Sequence, residues 1–201
     1  LMYIMIGVWG GIVGFGMSVV VRLELGSGGV WMGDESLYNM LVTAHGVIMV
    51  FFLVMPVFMG GFGNWLIPVM LGLDDMVHPR LNSLSFLLLP VSLSMFLLSV
   101  LIKGGDAGWT MYPPLMGWEY SPSMSVDLMV LSLHVAGLSS LLGSINLVVS
   151  GVMGAKLSGA VEQMPLLIWS LVLTGGLVLL TVPVLAAALT MMLLDRNFSS
   201  S

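Results

Sequence analysis

Residues 36–73 read SLYNMLVTAHGVIMVFFLVMPVFMGGFGNWLIPVMLGL and contain no Asp, Glu, Lys or Arg. A charge-free stretch of this length is typical of a membrane-spanning helix, because about 20 apolar residues cross the hydrocarbon core. Five charge-free runs are long enough to span a membrane, and they occupy residues 1–21, 36–73, 81–102, 128–155 and 164–194. Since backbone polar groups in lipid must bond within their own segment, the sequence predicts an all-α, polytopic transmembrane helix bundle with five spans.

The composition supports this prediction and excludes several functional classes. Charged residues make up 7% of the chain and hydrophobic residues 58%, whereas a soluble domain has about 25% charged residues. No basic stretch is present that could bind nucleic acid. The chain has no cysteine, which leaves His, Asp, Glu and backbone oxygen as metal ligands. We expect residues 1–201 to be part of one domain surrounded by membrane lipid, cut from a longer chain.

Two histidines lie inside the charge-free runs. At about 1.5 Å per residue, His45 lies about 12 Å along the second helix and His134 about 10 Å along the fourth. Both helices start on the same side, so the two rings lie at similar depth. Two neutral imidazoles could therefore hold one haem iron. The alternative is two core histidines, each bonded to a neighbouring helix, and spacing alone favours this alternative.

Uncharged polar side chains also lie inside the runs, several of them at spacings that place them on a shared helix face. An acidic pair follows the second run. Such a set can line a water-filled proton path with a carboxylate at its mouth. It can also provide hydrogen bonds between helices, and spacing alone favours this second interpretation. The residues are Asn64, Asn82, Ser85, Ser139, Ser140 and Asn146, with Asp74 and Asp75 in the loop.

Two further segments flank the membrane. Arg22 and Glu24 end the first run, and we interpret them as a pair whose heads reach the interface. Glu24 and the glycine-rich stretch after it could also bind a hard cation through oxygen atoms. The long loop over residues 103–127 carries four Trp and Tyr side chains, which are typical either of the membrane interface or of a lid over a bound group.

Short motifs in a fixed order then resemble one family. Their order and spacing are similar to those of subunit 1 of the haem–copper oxidase superfamily, of the mitochondrial cytochrome c oxidase type. The resemblance covers the whole chain and implies the first five of that family's twelve helices. The motifs include RLELG at 22–26, TAHG at 43–46, GGFGNWL at 60–66, GWTMYPPL at 108–115, LHVAG at 133–137 and DRN at 195–197.

The resemblance implies specific roles for three residues at a haem. It implies that His45 is one axial ligand of the haem a iron and that the second ligand lies outside this sequence, which makes His134 a structural histidine. It implies that Arg22 bonds the haem a formyl group and that Trp109 lies near the haem propionates. Haem a3 and copper B are implied for the complete chain, with no catalytic residue of the oxygen site within residues 1–201.

The resemblance also implies a cation site and a proton path. Glu24 and Gly29 match contributors to the family's calcium or sodium site. Asp75 resembles the entrance acid of the D proton pathway, so the proton-path interpretation replaces the interhelical one. The loop at residues 103–108 departs from the family by being one residue shorter. The other residues implied along the path are Asn64, Asn82, Ser85, Ser139, Ser140, Asn146 and Tyr3.

The implied function is that of a partial catalytic subunit of a terminal respiratory oxidase in the mitochondrial inner membrane. Electrons would pass from cytochrome c through copper A and haem a to the haem a3–copper B centre, where oxygen is reduced to water with proton translocation. The implied partners are cytochrome c and other oxidase subunits, including the copper A subunit. The alternatives are a quinol oxidase of the same superfamily, a haem-free proton-conducting bundle and a purely structural membrane subunit.

Overall fold

The computed structural model describes residues 1–102, 105–157 and 164–200, without the side chains of 156 and 157. Within these ranges, five long helices are joined by loops. They are α1 (Met2–Gly26), α2 (Glu35–Leu71), α3 (Pro79–Leu101), α4 (Met124–Leu157) and α5 (Leu166–Phe198). Each is long and apolar enough to cross a membrane. The predicted all-α class and the five spans are confirmed. Residues 103 and 104, where the sequence predicts a shorter loop, lie outside the described residues.

The helices begin and end where local chemistry allows. Asp34 caps α2, because its carboxylate accepts a hydrogen bond from the Leu37 amide at 3.1 Å. Pro79 occupies the first turn of α3 and Pro165 immediately precedes α5, positions where a missing N–H costs nothing. The fifth helix runs to Phe198, four residues beyond the predicted end at 194, because the prediction marked the end of the charge-free run and a helix can continue past a charged residue.

The middle of α2 has an unusual form. Residues Ile48–Gly63 follow a π-helical path, with Pro56 inside it. Proline removes one backbone donor and crowds the preceding turn, and wider π-type turns are often found near functional sites. The sequence predicts a kink at Pro56, and the helix widens around this residue.

α1 lies close against α2 along a face of small residues. Gly7, Gly10 and Gly14 are the buried residues of α1. A Cβ atom at Gly10 would lie 3.2 Å from the backbone oxygen of Phe52, so only glycine allows this approach without a shift. Small residues therefore bring these two helices together, as they commonly do in membrane proteins.

Serines spaced seven residues apart join α3 to α4. Ser92 and Ser132 exchange hydrogen bonds through hydroxyl and backbone oxygens at 2.7 and 2.8 Å. The same antiparallel register brings together Ser99 with Ser125 and Ser85 with Ser139. Since each position is buried, these hydrogen bonds hold the two helices in one register.

Candidate functional site

The His45 ring is oriented by α1. Its Nδ1 lies 2.9 Å from the backbone oxygen of Gly14. Because a carbonyl oxygen can only accept, Nδ1 carries the proton and Nε2 keeps its lone pair. Within the described residues Nε2 has no hydrogen-bond partner. A backbone carbonyl behind the ring is the arrangement found in histidines that ligate metals, so this residue fits the iron of a haem.

His134 has different surroundings. Its Nδ1 lies 2.9 Å from the backbone oxygen of Val130, one turn earlier in its own helix, and its buried Nε2 has no partner among the described residues. Of the two core histidines that the alternative interpretation predicts, only His45 bonds to a neighbouring helix.

The loop after α1 brings together the residues predicted for a cation. Glu24 Oε2 accepts a hydrogen bond from the Met32 amide at 2.8 Å, and Arg22, the other residue interpreted as reaching the interface, is exposed. The Ser27 hydroxyl lies 2.9 Å from the backbone oxygen of Gly29 and 3.0 Å from that of Glu24.

These oxygens would be insufficient for a calcium ion on their own. The described residues contain no group of three or more His, Cys, Asp or Glu that could hold a metal, and calcium takes six to eight oxygen ligands. Glu24 and Gly29 could therefore supply only part of a coordination shell.

Four of the polar residues predicted for a proton path meet where α1, α2 and α3 come together. The Tyr3 hydroxyl bonds to the Ser85 hydroxyl and lies 3.1 Å from the backbone oxygen of Asn82. Asn64 Nδ2 donates to Asn82 Oδ1 at 2.7 Å and to the Gly60 backbone at 2.8 Å. Ser85 also donates to the Asn82 backbone oxygen at 2.8 Å, which confirms that these two residues share a face.

A small cavity adjoins this cluster. Its volume is about 40 Å³ and its lining includes Tyr3, Asn64, Ser139, Ser140 and Ser144, with apolar side chains of α2, α3 and α4 completing the wall. One water molecule needs about 10–15 Å³ of such volume, so the cavity can hold water. The buried Oδ1 of Asn64 has no partner among the described residues and is an acceptor available to such a water.

The remaining predicted path residues make no described hydrogen bond to the Tyr3 hydroxyl. Ser139 donates to the Ser85 backbone oxygen at 2.6 Å, and Asn146 Oδ1 accepts from the His78 amide at 3.0 Å. Ser139 thus makes an interhelical contact of the kind that the alternative interpretation predicts, although it also lines the cavity, whereas Asn146 binds the residue that precedes α3. Asp75 is exposed and accepts from the next amide at 2.7 Å, and no described hydrogen bond links it to the cluster.

A second, larger cavity lies at the other end of the bundle. Its volume is about 860 Å³, and Trp109, Leu133, Leu185 and Asp195 are among its lining residues. Trp109 is largely exposed, which leaves its ring available to a group in this space.

The spacing of the sequence gave no signal for the neighbouring contact between Arg196 and Asp127, because the two lie far apart in the chain.

Comparison with known proteins gives the same assignment over the whole chain. The family model described as Cytochrome C and Quinol oxidase polypeptide I matches residues 1–201. Cytochrome c oxidase subunit 1 of Pecten maximus is 47% identical over the full length of this chain, which covers 42% of that protein. The Eremothecium gossypii protein of the same name is 42% identical, and 38% of it is covered. With its five apolar helices, this chain belongs to the cytochrome c and quinol oxidase polypeptide I family.

Proposed function

We propose that this chain is part of the catalytic subunit of a terminal respiratory oxidase of the mitochondrial inner membrane. In the complete enzyme, electrons from cytochrome c would pass through copper A and haem a to the haem a3–copper B centre. Oxygen would be reduced there to water, with proton translocation. The orientation of His45 by the Gly14 carbonyl is the observation that carries this proposal.

His45 would hold the iron of haem a through Nε2. When bound, haem a takes up and releases an electron at its iron without contacting the substrate. The carbonyl of Gly14 fixes the tautomer and the orientation of the His45 ring. Arg22 would donate to the haem formyl group, and Trp109 would lie near the propionates.

The polar cluster at Tyr3 would carry protons. Hydroxyl and amide groups joined by hydrogen bonds, next to a cavity that can hold water, supply donors and acceptors in sequence. Asp75 would collect protons at the exposed end, where its carboxylate faces solvent. In the complete enzyme, Asp75→Asn should impair proton pumping while leaving haem a bound.

Glu24 and Gly29 would contribute to a calcium or sodium site that ligands from outside this sequence complete. The partners would be cytochrome c and the other oxidase subunits, including the copper A subunit. A quinol oxidase is the second candidate, because the matching family model covers both kinds of enzyme.

A pair of matched substitutions tests the haem assignment. His45→Gln in the full-length subunit, expressed in its complex, should remove the low-spin haem a spectrum. His134→Gln is the control, since His134 also bonds a backbone carbonyl through Nδ1 but should leave that spectrum intact. Retention of low-spin haem a in His45→Gln would refute the assignment of His45 as a ligand, whereas absence of haem a from the unsubstituted complex would favour the haem-free proton-conducting bundle.

A further inference from the structure

A buried ion pair joins the last turn of α5 to the first turn of α4. Arg196 Nε donates to Asp127 Oδ1 at 2.7 Å, and the Arg196 side chain has no solvent exposure whereas Asp127 keeps 15%. A guanidinium in such a position is stable only when its remaining N–H groups also have partners.

Those partners come from the loop between α3 and α4. Arg196 Nη1 donates to the backbone oxygens of Met116 and, at 3.2 Å, Ser121. Arg196 Nη2 donates to that of Ser123 at 2.8 Å. The guanidinium also lies 5.5 Å from the ring centre of Trp118. One planar, five-donor side chain therefore binds three points of the loop, which the single ammonium of a lysine could not do in the same geometry.

Backbone hydrogen bonds extend from this anchor toward Trp109. The Met116 amide donates to the Tyr112 oxygen at 3.2 Å, and the Met111 amide to the Gly108 oxygen at 3.3 Å. The second of these bonds closes the turn that carries Trp109. Met111 and Met116 are both buried in the main apolar cluster. Side-chain packing therefore stabilises the turn in addition to the backbone hydrogen bonds.

We propose that Arg196 is a positioning residue that fixes the loop over residues 108–123 and thereby holds Trp109 in the wall of the large cavity. Arg196 itself does not line that cavity, whereas the preceding Asp195 does. The effect therefore passes through the loop. This inference rests on the proposed function in one respect, namely that Trp109 faces the haem propionates.

Hydrogen–deuterium exchange on the assembled oxidase tests the positioning directly. Arg196→Lys keeps the charge but loses at least two of the carbonyl contacts, so amides in residues 108–121 should exchange about tenfold faster. Asn197→Ala is the matched control, because Asn197 is the next residue, is exposed and bonds only its own helix. If Arg196→Lys does not assemble, Asp127→Asn should give about threefold faster exchange. Unchanged exchange in the assembled variants overturns the inference.

A second measurement separates positioning from a general loss of stability. Haem midpoint potentials are compared for Trp109→Phe, Arg196→Lys and the double variant. If Arg196 acts through Trp109, the shift caused by Trp109→Phe should largely disappear in the Arg196→Lys background. Simple addition of the two shifts overturns the inference. If Trp109→Phe alone causes no shift, the role of Trp109 in the proposed function fails, and the exchange experiment alone decides on Arg196.

Discussion

Replacing Ser92 by leucine should separate α3 from α4, whereas the same change two residues later should not. Ser92 and Ser132 are both completely buried and exchange hydrogen bonds at 2.7 and 2.8 Å. Ser94 lies on the same helix but is exposed and bonds only to the Val91 oxygen of its own turn. The two positions therefore differ in what they contact rather than in residue type or helix.

The expected change in the free energy of unfolding follows from the contacts that each substitution removes and the volume that it adds. Ser92→Ala loses one interhelical hydrogen bond, which is worth about 0.6 kcal/mol on average in a membrane protein. Ser92→Leu loses that bond, displaces the reciprocal one from Ser132 and adds bulk where no space exists, at about 2–4 kcal/mol in total. Ser94→Leu should change the free energy of unfolding by less than about 0.5 kcal/mol.

The assay is unfolding of the purified, assembled oxidase by sodium dodecyl sulfate, followed by circular dichroism. The three variants and the unsubstituted protein are compared at equal lipid and detergent concentrations. Equal free energies of unfolding for Ser92→Leu and Ser94→Leu would refute the argument that serines set the spacing of these helices.

Three further outcomes are expected for the assembled oxidase. Gly10→Ala should destabilise the bundle by about 1–3 kcal/mol in thermal unfolding, because the new methyl group meets the Phe52 backbone oxygen. Gly16→Ala is the control and should be neutral or stabilising, because open space surrounds Gly16. Tyr3→Phe removes the hydroxyl bonded to α3 and should slow proton uptake measured in vesicles; an unchanged rate would exclude this hydroxyl from the path. His45→Ala should abolish low-spin haem a, as read from the reduced-minus-oxidised spectrum, and an unaltered band would contradict ligation by His45.

The polar residues of α3 and α4 were only partly readable from the sequence. The sequence placed Asn82 and Ser85 on one helix face, and the structure confirms that they are hydrogen-bonded neighbours. The sequence left open whether such residues form a proton path or join helices. The contacts show that Ser139 joins α3 to α4 and also lines the cavity, so one side chain can take part in both.

The amino-acid sequence by itself determined the number and approximate position of the spans. A lipid environment forces every apolar run of sufficient length to satisfy its backbone as a helix, and this rule requires no knowledge of neighbours. The polar residues Asn82 and Ser85, and Ser139 and Asn146, also carried a readable signal, because their spacing placed each pair on a shared helix face.

Only the tertiary structure decided which groups meet. The Gly14 carbonyl behind His45 and the carbonyls around Arg196 are backbone atoms, and backbone atoms are chemically alike at every position of a sequence. Their partners lie 31 and more than 70 residues away along the chain. Such contacts arise only when helices pack at one particular rotation and height, which is set jointly by the small-residue faces and hydrogen bonds of all five helices.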